Sequence, residues 1–207
     1  SPEPVVHTDR SCSRADTPVP GDLVADVGPA AYDTNEGPSD TNDSYPAAMP
    51  TIRPTTVDDI PRVVALETTA DTREWLCDTG AAWHEKALSD PTQEHLLAVE
   101  GSTIVGFVVL ADLHNPDQVI EIRRLVVGPA SRGKGLGRSL LKAAVERAYG
   151  HHHARQVWLD VKRHNHRARA LYKTEGFRTT RTIRDAVREP DGTMSDLIVM
   201  THAPERH

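Results

Sequence analysis

The 207-residue sequence is short of cysteine, of long apolar runs and of net positive charge, and each shortage excludes a class of protein. Its two cysteines, Cys12 and Cys77, stand far apart with no CxxC pair, so neither a disulfide framework nor a cysteine-ligated zinc site is indicated. A reducing, cytoplasmic setting is the expectation. No apolar run approaches the roughly 20 residues needed to cross a bilayer, which leaves no candidate for a membrane-spanning helix. Acidic residues outnumber basic ones, 30 to 24, so the chain lacks the excess of Lys and Arg with which nucleic-acid binders neutralise phosphate. Neither a membrane nor a nucleic acid is an expected partner.

The charge that is there is unevenly spread. Residues 1–50 hold nine acids against Arg10 and Arg14, a net charge of −7, which leaves the other 157 residues at +1. The same stretch carries eight of the 15 prolines. Such a composition cannot bury enough apolar surface to offset its ordering entropy, so residues 1–50 read as a disordered, acidic, proline-rich arm in front of one folded domain over residues 51–207. The arm has no basic start and no continuous apolar centre, so it does not read as a signal peptide. A solubilising extension and a docking or regulatory tail are both open to it.

From residue 51 the pattern alternates. Thr51 to Pro54 reads as a strand and Thr56 to Glu67 as a helix with Asp58 and Asp59 in its first turn. A polar helical stretch is expected from Thr72 to Ser89, and its Trp75 and Trp83 would then share one face. His95–Val99 and Ile104–Leu110 flank the turn residues Glu100-Gly101-Ser102 as a hairpin, and Gln118–Val127 adds a third run. Leu136, Leu140, Leu141, Ala144, Val145 and Ala148 form the apolar stripe of a helix. Val157–Val161 reads as a buried strand, and Asn165 opens a helix that stops at Gly176. Phe177–Ile183 and Leu197–Met200 complete the sheet around a Pro190-Asp191-Gly192 turn. The fold class is mixed α/β, a twisted mixed sheet flanked by helices.

Gly128-Pro129-Ala130-Ser131-Arg132-Gly133-Lys134-Gly135-Leu136-Gly137 is the most informative stretch. As a phosphate-binding P-loop it fails, because Gly135 stands where a Ser or Thr must hold Mg²⁺. As a dinucleotide fingerprint it has Arg138 in place of the third glycine, and a meander precedes it instead of a βαβ unit. What fits is a helix N-terminus whose glycines let backbone N–H groups close on a diphosphate, with Arg132, Lys134 or Arg138 adding charge.

Arg132-Gly133-Lys134-Gly135-Leu136-Gly137 resembles the (Gln/Arg)-x-x-Gly-x-(Gly/Ala) signature of the GCN5-related N-acetyltransferases, the GNAT superfamily. Glu121–Pro129 is similar to that family's fourth strand. Asn165-x-x-Ala168-x-Ala170-Leu171-Tyr172-x-x-x-Gly176-Phe177 is similar to its second signature. The resemblance covers residues 51–202 and implies a GNAT fold that takes acetyl-CoA as co-substrate and passes its acetyl group directly to an amine in a ternary complex. It places the pantetheine arm along Leu125, Val126 and Val127, and the pyrophosphate on Arg132, Gly133, Lys134, Gly135, Leu136, Gly137 and Arg138. It puts Asn165 and Tyr172, seven residues apart on one helix face, against the cofactor. It implies Tyr172 as the general acid that protonates the departing thiolate, and the amide of Val126 as a donor to the developing oxyanion.

For the base the resemblance implies Glu121, because some members carry a glutamate eleven residues before the signature's first residue; a plain ion pair with Arg123 or Arg124 is the alternative. A small amine, amino acid or antibiotic and a peptide or protein amine are both open as acceptor. A homodimer is open too, since many relatives pair. A non-catalytic acetyl-CoA sensor is the rival function, and the presence of Glu121, Asn165 and Tyr172 speaks against it. His151-His152-His153 with His164 and His166 could suggest a metal site. Consecutive loop histidines cannot all face one ion, and no carboxylate or cysteine joins them at ligand spacing, so no metal is expected. Eight acids over residues 58–90 against Arg62, Arg73 and Lys86 would suit a cationic acceptor.

Overall fold

The computed structural model describes residues 50–76 and 79–204. The acidic arm, save Pro50, and Cys77 lie outside the described residues. Seven strands form one mixed sheet in the order β1-β2-β3-β4-β5-β7-β6: β1 (Thr51–Pro54), β2 (Glu94–Glu100), β3 (Thr103–Ala111), β4 (Val119–Val127), β5 (Gln156–Lys162), β6 (Arg178–Arg188) and β7 (Met194–His202). Helices α1 (Ile60–Glu67), α2 (Ala70–Arg73) and α3 (Gly80–Ser89) cover one face, and α4 (Leu136–Gly150) and α5 (His166–Thr174) the other.

Two expectations need correction. The single helix from Thr72 to Ser89 is broken into α2 and α3, the latter starting at Gly80 with φ +71, so Trp75 and Trp83 do not share a helix face. The helix expected from Thr56 starts instead with a 3₁₀ turn, Val57–Asp59, and α1 begins at Ile60. Its capping is reciprocal: the Asp59 carboxylate accepts both the backbone N–H and the hydroxyl of Thr56, each at 2.9 Å, and Arg53 grips the same carboxylate at 2.8 Å. The last two strands also run longer than the apolar runs suggested, since β6 carries exposed arginines on an edge where no apolar alternation is needed.

Each sheet face has its own apolar cluster. Leu136, Leu140, Leu141 and Ala144 of α4, with Ala168 and Tyr172 of α5, pack on Ile120, Ile122, Leu125, Val127, Leu159 and Val161. Val63, Trp75 and Leu76 pack on Leu97, Phe107, Val109 and Val126 on the other side. Strand β4 serves both by alternation, and it carries a bulge: Val109 pairs with Arg124 but Leu110 pairs with Ile122, which leaves Arg123 as the extra residue. The phase of alternation changes there, turning Arg124 and Val126 toward α1–α3. Gly106 lets β3 come this close, since a Cβ would stand 2.7 Å from the Val126 carbonyl oxygen.

The feature that makes a site is where the sheet fails. β4 and β5 are parallel neighbours over only three pairs, Val119–Gln156, Ile120–Val157 and Glu121–Trp158. Beyond them β4 pairs with β3 alone and β5 with β7 alone. A notch therefore opens at the carboxyl ends of the two strands, the place where open α/β sheets bind ligands.

Candidate active site

The glycine loop hangs over one side of this notch. Gly133 and Gly135 have φ values of +77 and +78, and a Cβ built on either meets nothing within 4 Å. The loop thus owes its glycines to backbone direction, with open space where side chains would stand. Gly135 caps α4 without any side-chain hydrogen bond, and no acid occupies the first turn of this 15-residue helix. The first-turn amides and the positive end of the helix dipole therefore face the opening, which is the arrangement that binds anions.

A cavity of about 390 Å³ lies there, lined by Val127, Arg132, Gly133, Gly135, Leu136, Gly137 and Arg138 from the loop side and by Arg167, Ala170, Leu171 and Thr174 from α5. Open Cβ positions, free amides and basic walls fit the diphosphate of acetyl-CoA. Val127, at the end of β4, ties this cavity to the notch.

The cations of the loop are used unequally. Arg132 turns back, its Nε donating to the Val127 carbonyl at 3.2 Å and its Nη2 to Thr72 Oγ1 at 3.1 Å. Arg138 is ion-paired with Glu175 at 3.0 Å, and Lys134 is exposed. Arg167 joins the lining unforeseen; its signal was its place two residues into the helix that Asn165 opens.

Asn165 and Tyr172 do share a helix face, but it is the buried one. Asn165, 1% exposed, caps α5 by accepting the Ala168 amide at 3.1 Å. Tyr172 is fully buried among the α4–α5 cluster with its ring 6.0 Å from Phe177. Neither lines the cavity beside the glycine loop. The Tyr172 hydroxyl has no hydrogen-bond partner among the described residues. Burial, and secondarily the negative charge of Asp160, push its pKa above the usual tyrosine value and keep it protonated.

Two buried carboxylates mark the notch. Glu121 sits on the last β4–β5 pair and is held by Arg123, whose Nε and Nη2 donate to the same Oε2 at 3.0 and 2.8 Å. Asp160, fully buried, lies two residues beyond that pair on β5, close enough for its charge to act on Tyr172. The sequence reading missed Asp160; a lone acid inside an otherwise apolar strand was the available signal.

His152 pairs with Glu94 at 2.7 Å beside Arg147, and no group of three or more metal-ligating side chains occurs among the described residues. No helix among the described residues is long and apolar enough to cross a membrane.

Comparison with known proteins adds three findings. The model of the acetyltransferase (GNAT) family matches residues 60–177. The N-alpha-acetyltransferase RimI of Mycobacterium tuberculosis is 33% identical over 93 residues, a match spanning 44% of this chain and 56% of that protein's length. Among solved structures, a spermidine N-acetyltransferase from Vibrio cholerae in complex with CoA and spermine superposes with a TM-score of 0.68 at 17% identity, covering 75% of this chain and 96% of that one. The ribosomal-protein-S18-alanine N-acetyltransferase from Escherichia coli superposes with a TM-score of 0.65 at 19% identity, covering 77% and 96%.

Proposed function

Because the chain belongs to the GNAT acetyltransferase family, we propose that its notch is the site of direct acetyl transfer from acetyl-CoA to a primary amine in a ternary complex. Gly133, Gly135 and the first-turn amides of α4 bind the diphosphate, with Lys134, Arg138 and Arg167 around it. The unpaired edge of β4 over Leu125, Val126 and Val127 takes the pantetheine arm as a strand would be taken, through main-chain groups. Bound there, acetyl-CoA supplies an activated thioester; the chain supplies orientation and protons.

Tyr172 gives a proton to the departing thiolate. Its hydroxyl suits that task, being protonated, dry and not committed to another hydrogen bond. Glu121 is the base the sequence suggests, and two Arg123 N–H groups already occupy one of its oxygens. Asp160, two residues past the last β4–β5 pair where the strands part, is the carboxylate we assign to take the amine's proton through water. The amide of Val126 is the donor to the developing oxyanion.

The single observation that carries this reading is the coincidence of the notch with the open glycine loop at the start of α4. For the acceptor, similarity to an N-alpha-acetyltransferase supports the α-amine of a peptide or protein N-terminus. Likeness to the spermidine enzyme is one of fold. The experiment is thiol release from acetyl-CoA across N-terminal peptides, lysine peptides, spermidine, amino acids and aminoglycosides. Turnover concentrated on N-terminal peptides supports the reading. Tight acetyl-CoA binding by calorimetry without turnover of any amine would favour the sensor instead.

A further inference from the structure

A second polar assembly lies buried on the α1–α3 side of the sheet, and acetyl transfer as described makes no use of it. Thr55 Oγ1 is 2.7 Å from His95 Nδ1, and His95 Nε2 is 2.9 Å from His84 Nδ1. His84 Nε2 lies 3.1 Å from Glu67 Oε2, and Glu67 Oε1 lies 3.1 Å from Arg124 Nη1. Thr79 closes a triangle, donating to Glu67 Oε2 at 3.0 Å and accepting from Arg124 Nη1 at 3.1 Å. The side chains of His84, Glu67 and Arg124 are at most 1% exposed. One chain of contacts thus runs from the β1–α1 connection through β2, α3 and α1 into β4.

The links are of two kinds: Thr55–His95 and His95–His84 are hydrogen bonds at 2.7 and 2.9 Å, and Thr79 joins Glu67 to Arg124 by two more, whereas His84 Nε2–Glu67 Oε2 and Arg124 Nη1–Glu67 Oε1 are ion-pair contacts at 3.1 Å. The assembly is packed as well as bonded. His95 stacks on Phe107 with centroids 5.2 Å apart and His84 meets the same ring edge-on at 5.5 Å, while Arg124 lies 5.2 Å from the centroid of Trp83. Apolar faces can slide against one another, whereas a directional chain of this kind closes in only one register.

Arg124 stands one residue before Leu125, where β4 has already left β5. We propose that Glu67, His84 and His95 are positioning residues for the acceptor amine: through Arg124 and Trp83 they fix α1 and α3 on β4 and so set the acceptor side of the notch. The glycine loop is carried by α4 on the other face of β4, and its tie to this side, Arg132 Nη2 to Thr72 Oγ1, involves none of the three. This role rests on the acetyl-transfer reading.

Two measurements on the full chain test it. In ¹⁵N spectra of histidine-labelled protein near neutral pH, a hydrogen-bond-mediated coupling joins the facing ring nitrogens of His84 and His95. Its absence overturns the chain. Kinetics with an alanine N-terminal peptide and with spermidine then compare His95→Gln, Thr55→Val and Thr55→Ser. The first two raise the acceptor KM about five- to tenfold while the acetyl-CoA Kd stays within about twofold, and Thr55→Ser, which keeps the hydroxyl, behaves as wild type. Parallel loss of acetyl-CoA affinity, or a Ser variant as impaired as Val, overturns the positioning role. Wild-type protein that turns over no amine overturns the transfer reading and this role with it, whereas an active wild type with unsplit variants overturns only the role.

Discussion

Arg132 Nη2 donates to Thr72 Oγ1 at 3.1 Å, joining the first residue of the glycine loop to a threonine 60 positions earlier that is fully buried on the α1–α3 side. Its Nε holds the Val127 carbonyl at the end of β4. Arg132 is therefore a brace between the glycine loop, the end of β4 and the α1–α3 side of the sheet. Arg132→Gln loses both bonds and costs about 1–3 kcal/mol of stability. It also weakens acetyl-CoA binding about tenfold, because the loop loses its anchor. Thermal unfolding and calorimetry check the pair of effects; a variant with weaker binding and unchanged stability would mean that Arg132 contacts the diphosphate directly and braces nothing.

Gly133 and Gly135 hold left-handed backbone angles with open space beyond them. Alanine at either position meets no atom, yet costs about 1–2 kcal/mol from the backbone angle alone. The same methyl group points into the space assigned to the diphosphate, so acetyl-CoA affinity falls more than about tenfold in each variant. Gly150, exposed at the end of α4 with no positive φ and nothing within 4 Å, is the control: alanine there leaves binding unchanged and is neutral or slightly stabilising.

Stability falls on the acid side. Burial first, then the nearby His84 and Arg124, push the His95 pKa down to about 3, so the folded protein binds no proton there at pH values where the unfolded chain does. The contribution is complete above the ordinary histidine value of about 6.5, is lost progressively as pH falls toward 3, and amounts to a few kcal/mol in order of magnitude. Asp59 acts in the same direction, its pKa held well below the usual carboxylate range chiefly by its hydrogen bond from Arg53. Urea midpoints measured between pH 7 and pH 4 fall in the wild type, and fall less steeply in His95→Gln. Equal slopes in the two proteins would contradict a neutral, buried His95.

What was legible in the sequence was local. The alternating glycines gave the loop, the stripe from Leu136 to Ala148 gave α4, and Asn165 gave the cap of α5, because each of these depends on neighbours a few residues away. Glu67 was counted among the acids of an exposed polar stretch; its partners His84 and Arg124 are brought to it by the sheet and by α3, which no spacing foretells. The bulge at Arg123 was likewise invisible, since alternation in β4 changes phase without a glycine or proline to mark it. Gly80, at φ +71, is the residue that marks the start of α3. Asp160 is not marked by spacing, because an acid in a strand becomes meaningful only once the parting of β4 and β5 beside it is seen.

The two carboxylates can be separated by mutation. Asp160→Asn lowers kcat about a hundredfold or more, whereas Glu121→Gln, whose parent is already gripped by Arg123, costs less than about tenfold. The reverse ranking, read from steady-state kinetics on the preferred acceptor, would return the base role to Glu121.

The most direct test of the central claim is thiol release from acetyl-CoA by wild type and Tyr172→Phe, on the acceptor found in the panel, alongside thermal unfolding of both. The buried hydroxyl has no hydrogen-bond partner among the described residues, so its removal leaves stability unchanged or slightly raised. Removing the proton donor lowers kcat at least about tenfold with acetyl-CoA affinity retained. A Phe variant as active as wild type would contradict the account, leaving Tyr172 as a core residue and the notch without its acid.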